Sequence, residues 1–418
     1  MENETILCVS TRLWHSLWRS TQQIMSRLAL TNRVIFVEPL RDPDLSYAAS
    51  ARRKLRYFGP LALEPLTPNL TVVRTPPGLP YARQNLPASV LRLSVPIVAG
   101  TNTALLTWHL RRVLTELRVD QPILWMYEPR MAGLVGRLGE KLACYFNYDE
   151  LADFAPNAKI RDILQAYDDQ LCRRADVVFA SSNAQTQRRQ HLNPNTTFVP
   201  NAADYALFSQ ALDPATPPAP ELVKLGKPIM GFVGWLGHQL DVPLLDRLAE
   251  AFPNYALVLV GPDALEKTAA YHALRARPNV LFVGQQPLEA LPRYLKLFDV
   301  ALLPYNVKSG HTHAIYPLKL HEYLAAGCSV LATNMAELQP FAPVIRIARE
   351  EAEFIALAPA ALADNAPERR QARTNVARAH TWEQRVATIH RVLDQALARR
   401  QAAPALNRAS VGAGQPSL

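Results

Sequence analysis

At 418 residues, with 49% hydrophobic and 19% charged residues, the chain is too long for one ordinary domain and comfortable for two, and its composition excludes a disordered polypeptide. The net charge of +9 admits phosphorylated ligands, an anionic membrane surface or nucleic acid without choosing among them. Its four cysteines, Cys8, Cys144, Cys172 and Cys328, lie far apart with no C-x-x-C pair, which argues against a zinc site or a disulfide framework and for buried thiols in a reducing compartment.

The chain opens on Met1-Glu2-Asn3-Glu4, acidic where a secretory signal is basic, so no signal peptide is expected. Residues 5–9 form the first expected strand, 20–30 a helix with Ile24, Met25 and Leu28 at helical spacing, and 33–38 a second strand. Strand, helix and strand within about 35 residues make a βαβ opening and hence a parallel sheet. The apolar stretch 90–110 is interrupted by Arg92, Pro96, Gly100 and Asn102, which removes it as a membrane span. The alternation resumes with strands at 123–127, 144–148 and 177–180 and helices at 132–142 and 160–174. Residues 208–227 carry Pro214, Pro217, Pro218 and Pro220 with few large apolar residues, a linker composition. Beyond it come strands at 229–233, 256–260, 280–283, 300–303 and 329–332, with helices at 242–252, 288–297, 318–326 and 382–400. Two successive α/β units should each be a doubly wound sheet, with the ligand site in the cleft between them.

Several chemical signatures are absent. There is no G-x-x-x-x-G-K-[ST] loop, and Gly231, Gly234 and Gly237 are not spaced as a dinucleotide fingerprint. His311 and His313 lack the zinc-binding H-E-x-x-H arrangement, and Asp42-Pro43-Asp44 reads as a solvated turn rather than a metal-binding D-x-D. The informative stretch is the helix after Asp299–Tyr305. Pro317 stands at its expected first position and Gly327 just past its end. Lys319 in the first turn opposes the helix dipole, which makes sense if an anion sits between them, and Glu322 follows one turn on, where a carboxylate can accept two bonds from a ribose diol. A solvated Lys–Glu pair at i, i+3 is the alternative.

These residues resemble the donor-site helix of family-4-type (group 1) GT-B glycosyltransferases, particularly bacterial surface-polysaccharide enzymes. Other segments agree in order: Tyr148-Asp149 with Asp153-Phe154, Val199-Pro200-Asn201-Ala202-Ala203-Asp204 with Phe208, Gly231-Phe232-Val233-Gly234, Val258 to Pro262, and Val280 to Gly284. The resemblance implies an α/β GT-B fold, two Rossmann-like domains facing each other across a cleft. The acceptor-side domain would be 1–207, the linker 208–227 and the nucleotide-sugar domain 228–381. A helix 382–400 would return to the first domain, before a disordered tail 401–418. It implies a donor site of Gly234, Gly237, His238, Gln285, Pro317, Leu318, Lys319, Leu320 and Glu322. In that site Glu322 holds the ribose, Lys319 and the helix end hold the diphosphate, and Gln285 and Gln286 face the base. Two departures stand out. Ala314 replaces the first of two family glutamates, and the loop after residue 234 offers only His238 where an Arg and a Lys are usual, leaving Lys308, His311 or His313 to supply charge.

Acceptor residues should lie at the C-terminal strand ends of the first domain. Trp14, His15 and Arg19, with Trp18, form an aromatic-basic patch that suits a sugar face, a lipid phosphate or a packed loop. Glu128, Asp149 and Asp153 add carboxylates. Asp149 would steer the acceptor or act as base in an inverting reaction, with helix capping as its alternative. Arg52 to Phe58 mixes base and aromatics as an anionic-lipid contact or a solvated face would. The expectation is therefore a cytoplasmic enzyme, catalytic through Asp149, Glu322 and Lys319. It would transfer a sugar with retention from a UDP- or GDP-sugar to a glycan or polyprenyl-linked acceptor. No cofactor, no metal and no nucleic-acid partner is expected, and peripheral contact with the inner face of the cell membrane is. The rival readings are a non-catalytic nucleotide-sugar-binding subunit and a GT-B epimerase.

Overall fold

The structure, a computed structural model, describes residues 1–43, 45–81, 88–155, 157–308 and 315–402. Asp44, His311, His313, Ala314 and most of the expected tail lie outside the described residues.

The N-terminal sheet has eight strands: β1 Thr5–Val9, β2 Arg33–Val37, β3 Leu63–Thr67, β4 Leu70–Val73, β5 Ile123–Met126, β6 Leu142–Asn147, β7 Val177–Ala180 and β8 Thr196–Phe198. Their order is β3-β4-β2-β1-β5-β6-β7-β8, parallel except for the β3/β4 pair. Leu7 of β1 is in register with Ile35 of β2 and Leu124 of β5. These strands are apolar almost without interruption because helices cover both faces, and their period of two sorts the side chains onto two cores. Ile6, Cys8, Phe36 and Trp125 pack with the helix Ser20–Leu28 and with Trp382, Ile389 and Leu393. Leu7, Ile35 and Met126 pack with Leu106 and Leu110 of the long helix Ala88–Glu116 and with Leu171.

The C-terminal sheet is all parallel: β9 Ile229–Val233, β10 Ala256–Val260, β11 Val280–Gly284, β12 Val300–Leu303, β13 Val330–Thr333 and β14 Arg346–Ala348, ordered β11-β10-β9-β12-β13-β14. Each sheet changes direction once, between β1 and β5 and between β9 and β12, and the crevice at such a switch point is where ligands bind.

The helix Trp382–Ala402 crosses back onto the N-terminal domain, where Trp382 is 1% exposed and Arg27 pairs with Glu383 at 2.6 Å. Segment 208–227 contains a short turn of helix at Pro220–Val223, and its Ala211, Ala219 and Leu222 are buried in the C-terminal core. The expected helix at 132–142 is not formed. A 3-10 helix, Pro129–Leu134, stands there instead, because Gly136 and Gly139 take φ of +85° and +69° and turn the chain out of helix before β6. Among the described residues no helix is long and apolar enough to cross a membrane.

Candidate active site at the domain cleft

The ends of β9, β10 and β11, the last followed by Gln285, build the C-terminal wall. Gly234 after β9 and Gly261 after β10 adopt φ of +153° and +145°, and a Cβ on Gly261 would fall 1.7 Å from the Gly234 carbonyl oxygen. Only glycine fits, and the bare backbone is left open to close approach. The helix Leu318–Ala325 points its N-terminus at this wall, where its first N–H groups have no partner within the helix. Pro317 corrects the expectation by one residue: with ψ of 112° it is the residue before the helix, not the first within it. Tyr323 fixes the helix to β9, accepting from the Val233 N–H at 2.9 Å.

Lys319 Nζ donates to Glu322 Oε2 at 2.7 Å, and the Lys319 stem lies against Gly234. The Glu322 side chain is 6% exposed. Burial pushes its carboxyl up from the usual range, and Lys319 pulls it back only in part. Leu320 is wholly buried in the C-terminal core and Leu318 packs toward the N-terminal one, so only their backbone faces a ligand. Exposed His238 packs edge-on against Trp235, whose ring also crowds Gly237.

On the N-terminal side, Asp149 follows β6, partly buried, with its carboxyl raised to about 6 by burial against the opposing pull of Arg19 and Arg12. Asp149 caps no helix: Glu150 precedes the 3-10 helix Leu151–Phe154 that contains Asp153, and Asn157 caps Ala158–Arg174. The Asp149 loop is held from beneath. Arg189, with no exposed surface, pairs with Glu150 at 3.2 Å and Asp168 at 2.8 Å, and Ser181 donates to the Tyr148 carbonyl at 2.9 Å. No spacing in the chain signals this clamp, in which Arg189 and Glu150 lie 39 residues apart.

The remaining acceptor-side residues separate. Glu128 is held by Arg130 through two side-chain bonds of 2.7 Å. Trp14 is buried against Phe36, while Trp18 is 37% exposed. His15 bonds Glu64 at 2.9 Å, and Glu64 in turn pairs with Arg74 at 2.5 Å.

A cavity of about 330 Å³ joins the two sides. His15, Ser16, Leu17 and Trp18 line it from the N-terminal domain, and Gly234, Gly261, Gln285 and Lys319 from the other. Of the expected donor-site residues Gly234, Gln285 and Lys319 line it, whereas Gly237, His238, Pro317, Leu318, Leu320 and Glu322 do not; of the expected acceptor-side residues His15 lines it, whereas Trp14, Arg19, Glu128, Asp149 and Asp153 do not. A separate groove of about 850 Å³ runs along the helix Ala88–Glu116, bordered by Trp108, Arg111, Arg112 and Arg137, away from the cleft.

Two doubly wound sheets facing one cleft, with a C-terminal helix returning across it, define the GT-B class. Residues 227–366, which hold the whole C-terminal sheet, match the family described as Glycosyl transferases group 1, and the chain resembles the surface-polysaccharide enzymes of that group. It is 28% identical over 238 residues to TuaH of Bacillus subtilis (strain 168), a protein provisionally named a teichuronic acid biosynthesis glycosyltransferase. That match covers 53% of this chain and 57% of TuaH, so the chain spans little more than half of that relative. Among solved structures it is similar to a sucrose-phosphate synthase from Thermosynechococcus elongatus, with a TM-score of 0.66 and 14% identity over 95% of this chain and all of the other. It is also similar to the E. coli trehalose-6-phosphate protein bound with UDP-2-fluoro glucose, with a TM-score of 0.63 and 13% identity over 94% and 99% of the two chains.

Proposed function

We propose that the protein is a glycosyltransferase of the hexosyltransferase class. It moves a sugar, with retention, from a UDP- or GDP-sugar to a glycan or polyprenyl-linked acceptor in bacterial surface-polysaccharide synthesis. The observation that carries this reading is the cavity between the two domains, onto which Lys319 opens beside the bare backbone of Gly234 and Gly261, with Glu322 bonded to Lys319 at the same helix end. The donor diphosphate sits against the helix end and the bare backbone at Gly234 and Gly261, with Lys319 beside it. Glu322, its carboxylate form favoured by the Lys319 ammonium against the cost of burial, accepts the ribose hydroxyls. As the anomeric bond breaks, negative charge grows on the diphosphate, and the helix dipole and Lys319 meet it without a metal. Asp149 orients the acceptor hydroxyl, which bonds the anomeric carbon as the diphosphate leaves and whose proton passes to the departing diphosphate oxygen.

Support for the acceptor class comes from the name of TuaH and for the donor class from the UDP-sugar bound to the E. coli neighbour. Calorimetry tests the donor site: Glu322→Ala and Lys319→Ala should each weaken nucleoside diphosphate binding at least about tenfold, a loss matching a buried charged hydrogen bond. Unchanged affinity in both variants removes the assignment.

The site of work is proposed to be the cytoplasmic membrane face. Leu55 is 58% exposed, Phe58 44% and Trp108 44%, and Arg112 ties their segments together by donating to the Gly59 carbonyl at 2.9 Å while covering the Trp108 ring. Arg52, Arg56 and Arg111 are exposed around them. Lys54, expected in this basic face, points inward instead: it is 3% exposed, bonds Thr75, and its amine is lowered to about 8 by burial.

A further inference from the structure

We propose that Trp18 supplies the N-terminal half of the nucleoside site, so that the donor base lies between its indole and the loop at 285–289 of the C-terminal domain. This rests on the cleft being the donor site. Among the described residues the N-terminal domain reaches the cavity through residues 15–18, while the opposite wall runs from Gly234 and Lys319, where the diphosphate is held, to Gln285 and Gln286. Leu17 and Trp18 are 38% and 37% exposed there, although both are large and apolar. An apolar surface left open inside a ligand cavity is covered by the ligand.

The ring is also rigidly presented. Trp18 packs edge-on against Trp14 with centroids 5.7 Å apart, and Trp14, 6% exposed, packs edge-on against Phe36 of β2 at 5.0 Å. The loop itself is bonded together: Ser16 Oγ donates to the Leu13 carbonyl at 2.7 Å, Gln22 Nε2 donates to the same carbonyl at 3.1 Å, and the Arg19 N–H donates to Gln22 Oε1 at 3.1 Å. A ring fixed before binding loses little entropy on stacking. Stacking on a π-face is tolerant of base identity, whereas the side-chain amides of Gln285 and Gln286 can read a base edge. Trp18 therefore sets affinity and the glutamines set choice.

The test titrates UDP and GDP, and the sugar nucleotide of whichever binds, into the full chain and into Trp18→Ala and Trp18→Phe, by calorimetry and tryptophan fluorescence. Trp18→Ala should weaken the sugar-free diphosphate about ten- to a hundredfold, and Trp18→Phe, which keeps a ring, by less than about threefold. The fluorescence change of the native chain should be largely lost in Trp18→Phe. Diphosphate affinity unchanged in Trp18→Ala, or a loss confined to the sugar nucleotide, overturns the inference and leaves the donor site standing. A native chain that binds neither diphosphate overturns both.

Discussion

Burial raises the Asp149 carboxyl to about 6 from its ordinary 3.8. Between those values the native state keeps a proton that the unfolded chain has lost, so this residue makes stability fall as pH rises from about 4 to about 6, by on the order of 3 kcal/mol at most. Asp149→Asn should therefore raise the melting temperature at pH 7.5 and not at pH 4. The same variant should slow sugar transfer at least about a hundredfold. Full activity in Asp149→Asn would take this carboxylate out of the chemistry. Sequence alone drew attention to Lys319 and Glu322, because a lysine in a first helical turn is unfavourable unless something anionic is near. It could not show that Arg12 and Arg19 act on Asp149, some 130 residues away in the chain. Nor could it divide the aromatic patch, since loop aromatics give no period from which to tell buried Trp14 from open Trp18.

At the scale of elements, the strands of the central sheets were legible because continuous apolar runs between helical stretches have few other readings. The rest failed for identifiable reasons. β3 contains Pro65 and lies at the sheet edge, and β8 has three residues, too few for a pattern. The helix Ala88–Glu116 was obscured by Pro96 and by polar residues that turn out to be buried: Asn102, for example, exchanges two bonds with the backbone of Leu79. The returning helix Trp382–Ala402 carries a prediction of its own. Trp382 lies in the N-terminal core although it follows the C-terminal domain, so Trp382→Ala should cost about 3–5 kcal/mol. Hydrogen exchange should show that loss in β1, β2 and β5 more than in β9 to β13. Equal or greater loss in the C-terminal sheet would contradict the placement.

For the whole molecule, hydrogen bonds among the described residues join the domains at several places, among them Ala203 N–H to the His380 carbonyl at 3.1 Å and Arg378 to the Tyr205 hydroxyl at 2.8 Å. Glu337 takes the backbone and side-chain N–H groups of Asn183 at 2.7 and 2.8 Å, and Asn201 donates to the Tyr316 carbonyl at 2.7 Å. Such a junction can open and close about a bound nucleotide. The basic aromatic face predicts sedimentation with phosphatidylglycerol vesicles at low salt, weakened by Phe58→Ser with Trp108→Ser and by added salt. Indifference to anionic vesicles at low salt would remove the membrane from the account. The central claim, a metal-free nucleoside diphosphate site on the C-terminal domain, is tested most directly by thermal shift with UDP, GDP and ADP, each with and without EDTA. At a hundred times the dissociation constant, a ligand that binds only the folded chain adds about 2.7 kcal/mol and should raise the melting temperature by roughly 5 °C or more. The account predicts such a rise with UDP or GDP, insensitive to EDTA and absent in Glu322→Ala. No rise with any diphosphate at millimolar concentration, or one abolished by EDTA, would contradict it.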